Sequence, residues 1–204
     1  MRKFTVLLAS FFVFGACAVA QLEPKSLDIP KNEIFLGYAY QYASLSGDAV
    51  HTQQTVTQSS TNLYGFAFEF SHYLKNMNLG FTFDIARGAQ NKVDSTGIKY
   101  TRTSYMAGPS YRLKQRGFIM PSLHVLAGVD HDQYTVSEFA GFGGNPGNFT
   151  FTNTDLAIAP GVTFDGNLSR HVGVRLAQVD YLYTHHYGTN QSSFRYAGGI
   201  VVRF

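Results

Sequence analysis

The sequence predicts an all-β protein: a closed, antiparallel, eight-stranded up-and-down transmembrane β-barrel. Three observations point there. From Glu33 to the end, bulky apolar residues recur at every second position, opposite a face of Gly, Ala, Ser, Thr and single charges. No segment after residue 20 holds the roughly 18 uninterrupted apolar residues that a spanning helix needs. The connections between the alternating runs are short and long by turns, as in barrels that cross a membrane back and forth.

The chain has 204 residues, enough for one domain behind a targeting segment. Residues 1–20 read as a secretory signal. Arg2 and Lys3 form a positive start, Thr5 to Phe14 is nearly all apolar, and Ala18-Val19-Ala20 is a small-x-small cleavage site. A lipoprotein signal lipidated at Cys17 is the alternative, although Phe14 stands where Leu or Val is usual. Cys17 is the only cysteine, so type I cleavage leaves no thiol for a disulfide or a thiolate metal site. Loss of Arg2 and Lys3 leaves 14 basic against 13 acidic residues, a net charge of +1. That balance gives no footprint for nucleic acid. Gln21 to Asn32 is a polar, flexible lead-in containing Pro24 and Pro30, and the barrel is expected over 33–204.

The first strand is predicted over Glu33–Ala43, with Ile34, Leu36, Tyr38, Tyr40 and Tyr42 on one face and Phe35, Gly37, Ala39, Gln41 and Ala43 on the other. The second, Leu63–Tyr73, sets Tyr64, Phe66, Phe68 and Phe70 against Gly65, Ala67, Glu69 and Ser71. The third sets Leu79, Phe81, Phe83 and Ile85 against Gly80, Thr82, Asp84 and Ala86. Three strands with this much exposed bulk would aggregate in water. In lipid the bulky face is the outer band and the small, polar face the lumen.

Thr103–Leu113, Ile119–Val129 and Asp155–Asp165 give the fourth to sixth strands, each weakened by a proline (Pro109, Pro121, Pro160) that cannot donate to a ladder. The seventh, Val172–Thr184, breaks phase: strict alternation would put Gln178 and Asp180 in hydrocarbon. A β-bulge near Leu176-Ala177 is therefore predicted, returning Arg175, Gln178 and Asp180 to the interior. The eighth, Ser193–Phe204, places Phe194, Tyr196, Ile200, Val202 and Phe204 outward and Arg195, Ala197, Gly199, Val201 and Arg203 inward. Short turns are expected at Lys75–Asn78, Lys114–Gly117 and Gly166–Arg170. Longer external loops are expected at Ser44–Thr61, Arg87–Thr101, Asp130–Thr152 and His185–Ser192. Tyr40 and Tyr42 suit one interfacial rim, and Tyr73, Tyr111, Phe118 and Phe204 the other.

The residues Tyr196-Ala197-Gly198-Gly199-Ile200-Val201-Val202-Arg203-Phe204 resemble the C-terminal signal of outer-membrane barrels: a final aromatic with apolar residues at alternate positions before it. Over 33–204 the chain is similar to the OmpA-type, eight-stranded outer-membrane β-barrel family, without that family's peptidoglycan-binding domain. The resemblance implies residence in the bacterial outer membrane, contact with its lipid, and recognition of the last strand by the barrel-assembly machinery. Tyr196, Ile200, Val202 and Phe204 would carry that signal.

Seven ionisable residues are expected on the inner face as an ion network: Glu69, Asp84, Arg112, Asp155, Arg175, Asp180 and Arg195. Eight strands leave room for little more than side chains, and buried charges need partners. A packed network is expected in preference to a conducting lumen. No catalytic, metal or cofactor site is expected. His185-His186 lie adjacent on a strand and so point apart, and Ser122 and His124 look inward, away from any lipid substrate. The run Gly141-Phe142-Gly143-Gly144-Asn145-Pro146-Gly147 lacks the Lys-Ser/Thr of a phosphate loop. Three readings stand: a monomeric, non-enzymatic outer-membrane barrel acting through its external loops on an unidentified ligand, a narrow pore, and a soluble lipocalin-like binder of an apolar ligand.

Overall fold

A computed structural model describes residues 29–44, 60–74, 77–93, 98–136, 149–186 and 189–204. The predicted signal and most of the lead-in lie outside the described residues, as does the glycine-rich run 141–147. Eight strands form one closed barrel in which each pairs antiparallel with its neighbours. They are β1 (Asn32–Ser44), β2 (Ser60–Tyr73), β3 (Leu79–Val93), β4 (Ile98–Arg112), β5 (Ile119–Val136), β6 (Phe149–Asn167), β7 (Val172–His186) and β8 (Thr189–Arg203). The seam between β1 and β8 runs from Glu33 opposite Arg203 to Ala43 opposite Ser193. At its middle Gly37 faces Gly199, and a Cβ on either would strike the backbone across the seam.

The register fixes the barrel's dimensions. One row of outward residues runs Leu79, Tyr111, Leu123, Val162, Val179, Tyr196, Tyr40, Tyr64. It returns to β3 opposite Ala89, ten residues beyond its start at Leu79. Eight strands with that stagger tilt by about 40° and set the backbone about 8 Å from the axis. That radius accommodates a single filling of side chains. At this tilt each residue rises about 2.5 Å along the axis. The 18 residues of β5 therefore climb about 45 Å, against the roughly 25 Å of an apolar band.

Sidedness follows the sequence pattern. Leu36, Tyr38, Phe66, Phe81, Phe83, Leu123, Ile158 and Ile200 are exposed on the outer wall, while Ala39, Ala67, Glu69, Thr82, Asp84, Leu126, Ala159 and Val201 are buried. The phase break in β7 is a bulge at Leu176-Ala177. Register with β6 steps from Phe164–Ala177 to Asp165–Arg175, and register with β8 from Gln178–Ala197 to Arg175–Gly199. Leu176 lies outside, and Arg175, Gln178 and Asp180 lie inside. Two prolines sit where one ladder is interrupted. Pro109 is in register with β3 but not β5, and Pro160 with β5 but not β7.

Two expectations are corrected. Two of the long connections are largely strand: β3 and β4 continue through most of Arg87–Thr101, and β7 and β8 leave only residues 187–188 between them, while β5 and β6 take in both ends of Asp130–Thr152. Above the apolar band both faces are polar, so the contrast that announces a strand disappears while the backbone ladder continues. Tyr73 is not a rim residue; it shares the face of Ser71 and Glu69 and is buried inside. Phe118 is half-buried in its turn, where its ring lies over the Gly166 backbone.

Candidate functional site

The interior is built by alternation. Every second side chain of eight tilted strands points to the axis, and the charges among them must pair or be left without solvent. At the turn-side floor, Glu33 accepts from Arg112 Nη2 at 2.8 Å and Arg203 Nε at 3.2 Å. Asp165 accepts from Arg175 Nε at 2.9 Å and Arg203 Nη2 at 3.4 Å, and Arg175 Nη1 lies 3.0 Å from Glu69. The guanidinium of Arg175 stacks 4.3 Å from the Phe35 ring, and that of Arg112 lies 3.5 Å from the Tyr73 ring. Arg112 Nη1 also donates to the Pro30 carbonyl at 3.1 Å, so the end of the lead-in closes over the floor.

From Arg175 the network climbs. Arg175 donates to Gln178 Oε1 at 2.9 Å, and Gln178 Nε2 to Asp180 Oδ2 at 3.0 Å. Arg195 bridges Asp180 and Asp84, each at 2.7 Å, and His124 Nε2 lies 2.7 Å from Asp180 Oδ1. A separate group stands nearer the loop side: Arg102 forks onto Asp132 at 2.8 and 3.0 Å and donates to Ser193 Oγ at 2.9 Å. Tyr100 donates to Asp132 at 2.9 Å and stacks on Tyr134 with ring centroids 4.6 Å apart. Three apolar clusters fill the remaining interior: Phe35, Ala39, Ala67, Ala86, Ala197 and Val201; Met106, Leu126, Ala157, Ala159 and Leu182; and Ala43, Leu63 and Tyr100.

Of the seven residues expected here, Glu69, Asp84, Arg112, Arg175, Asp180 and Arg195 are buried and joined through this network. Asp155 stands apart on the inner face, half-buried and in register with Asp130. Sequence reasoning did not place Glu33, Arg102, Asp132, Asp165 or Arg203 among the paired charges, nor Asp130 on the inner face, where it is buried. Phase alone suffices to find Glu33 and Asp165, which share the inner face with Phe35 and Thr163, as Arg203 shares it with Val201. Asp130 and Asp132 fall in a segment read as loop, and Arg102 falls between the expected loop Arg87–Thr101 and the expected strand Thr103–Leu113. Tyr196, Ile200, Val202 and Phe204 are exposed along the outer face of the last strand and its end.

Charge is segregated by face. Among the described residues, eight carboxylates (Glu33, Glu69, Asp84, Asp130, Asp132, Asp155, Asp165, Asp180) and five arginines (Arg102, Arg112, Arg175, Arg195, Arg203) point inward, an excess of three negative charges. Lys31, Arg87, Lys99, Lys114, Arg116 and Arg170 are exposed on the outside. No group of three or more His, Cys, Asp or Glu among the described residues could hold a metal. His124 is turned inward onto Asp180, and His185 Nδ1 donates to Asn190 at 2.8 Å.

An apolar outer wall around an ion-paired, filled interior defines the class: the fold is that of the eight-stranded outer-membrane β-barrels. The chain is similar in structure to Ail, the attachment invasion locus protein of Yersinia pestis, with a TM-score of 0.59 and 19% identity over 85% of this chain and 99% of that one. It is also similar to Neisserial surface protein A, with a TM-score of 0.58 and 17% identity over 85% and 97%. OprG of Pseudomonas aeruginosa aligns with a TM-score of 0.51 and 12% identity over 86% and 96%. No family model matches the chain, and no curated protein matches it.

Proposed function

We propose that this chain is a non-enzymatic bacterial outer-membrane protein, exported by its N-terminal signal, that serves envelope structure or surface contact through the ends of its strands and their loops. The observation that carries the reading is sidedness: bulky apolar residues circle the outer wall while charges are gathered and paired within. A soluble ligand-binding barrel would invert that arrangement. The barrel-assembly machinery is the expected partner of β8, whose outward Tyr196, Ile200, Val202 and Phe204 flank the closing seam. The chain is expected to act as a monomer, since a closed barrel leaves no strand edge to pair.

The strand ends above the apolar band are suited to polar contact. In register there run Arg87, Thr103, His131 and Thr154, then Ala89, Thr101, Gln133 and Thr152, then Lys99, Thr135 and Thr150. That face is rich in hydroxyls, with cations at two positions. Among the similar structures, Ail is described as an attachment invasion locus protein. The tightly bonded interior argues against the pore reading. Fractionation tests the proposal: recovery in the outer membrane with heat-modifiable gel mobility is expected, together with no reproducible conductance in a planar bilayer. Recovery as a soluble periplasmic protein would overturn it.

A further inference from the structure

We propose that the β4–β5 turn and the outer wall above it bind an anionic phospholipid, its phosphate held by Lys114 and Arg116 and an acyl chain lying over Leu113, Tyr111 and Leu123. The proposal rests on the outer-membrane reading above and names a lipid class within it. Lys114 and Arg116 are both exposed in a short turn whose backbone is fixed. Arg116 and Ile119 exchange hydrogen bonds at 2.9 and 3.1 Å, and Gln115 Nε2 donates to the Gly117 carbonyl at 2.7 Å. Gly117 takes a φ of 59°, a left-handed conformation that glycine adopts without strain. The two cations are therefore presented from an ordered backbone, which lowers the entropy cost of capturing a ligand.

Both halves of such a lipid find a partner here. Tyr111 pairs with Leu123 across the β4–β5 ladder, and Leu113 N donates to the Pro121 carbonyl at 2.8 Å. Leu113, Tyr111 and Leu123 thus stand together on the outer wall, 37%, 46% and 47% exposed. The turn begins directly below them, where the apolar band gives way to headgroups. Lysine and arginine lay their stems along apolar surface at such a boundary and extend their charges to the polar side. A guanidinium forks onto phosphate oxygens, and an ammonium adds a point charge. The Asn167 amide donates to the Phe118 carbonyl at 2.9 Å, which brings the β6–β7 turn, with exposed Arg170 and His171, alongside. Lys31 is exposed at the same end, while the described carboxylates point into the barrel. A positive field at the membrane surface favours a phosphate without a balancing cation over a zwitterionic headgroup. The adjoining apolar wall favours a lipid over a soluble anion.

The test uses the full chain, refolded into phosphatidylcholine vesicles that carry a trace of spin-labelled lipid with the nitroxide near the end of its acyl chain. The motionally restricted fraction of the spectrum measures lipid held on the barrel, for phosphatidylglycerol and phosphatidylcholine in turn. Phosphatidylglycerol is expected to be preferred about threefold at low salt, and the preference to fall toward unity in 1 M NaCl, where the screening length is about 3 Å. K114Q/R116Q is expected to remove most of the preference and K114R/R116K to keep it. R87Q/K99Q, at the opposite end of the barrel, is expected to leave it unchanged. Should K114Q/R116Q fail to fold, R116Q alone decides. Equal restriction of the two lipids by the parent overturns the proposal. A preference that survives K114Q/R116Q, or that disappears with R87Q/K99Q, overturns it equally. Absence of a restricted component for either lipid would instead overturn the outer-membrane reading on which the proposal rests.

Discussion

Replacing Arg195 with methionine tests the ion network where it is driest. The guanidinium is fully buried, 2.7 Å from carboxylates of both Asp84 and Asp180, which are themselves fully buried. R195M keeps the unbranched apolar stem of the side chain, removes the guanidinium and strands two carboxylates in the interior. Removing one partner of a buried ion pair costs about 3–5 kcal/mol because the other charge is left uncompensated. The His124 pairing and the Gln178 amide still hold Asp180 but not Asp84, so the full range is expected. With a urea slope near 2 kcal/mol/M, the unfolding midpoint in vesicles should fall by about 2 M. In R195M/D84N/D180N the stranded charges are gone, and most of the loss should return. Urea titration read by heat-modifiable mobility follows both variants. A midpoint for R195M within about 0.3 M of the parent would refute the reasoning, because it would mean that water solvates these groups and the lumen is open.

Deleting Leu176 and Ala177 together leaves no outward residue between Arg175 and Gln178 and turns one side of β7 over, so either Arg175 or the Gln178 and Asp180 pair enters lipid. No heat-modifiable band is expected for that deletion. Phe83→Arg on the outer wall should cost about 2–4 kcal/mol in a bilayer, read by the same urea titration, because a cation near the midplane is poorly solvated. Gly161→Ala would place a Cβ on Asp180 Oδ1 and His124 Nε2. A stability loss of about 1–3 kcal/mol is expected from that overpacking, with the fold retained by circular dichroism.

The lipid-facing wall was legible because hydrocarbon imposes one rule on every exposed position, and that rule writes a period of two into the sequence. The bulge in β7 was legible for the same reason: Gln178 and Asp180 have no place in lipid, so phase must shift before them. The outer halves of β5 and β6 were not. Around His131-Asp132-Gln133 and Thr152-Asn153-Thr154 both faces meet water or polar groups, and no apolar stripe distinguishes a strand from a loop. That is why Arg102, Asp130 and Asp132 escaped notice. Tyr73 was misplaced for a different reason: an aromatic at a strand end suggests an interface, yet its parity with Glu69 and Ser71 turns it inward under Arg112. Partner choice within the network, such as Arg195 reaching Asp84 from β8 to β3, depends on barrel radius and stagger rather than on local sequence.

Spin labelling in vesicles tests sidedness most directly, with single cysteines placed in a Cys17-free background at Phe66, Phe68, Phe81 and Phe83 and at Ala67, Glu69, Thr82 and Asp84. The first four are expected to be relaxed by oxygen dissolved in the acyl chains and shielded from a water-soluble nickel chelate. The second four should be immobilised and reached by neither reagent freely. Reversal of the two patterns, with the phenylalanine positions packed and the alternate positions in contact with lipid, would contradict the account.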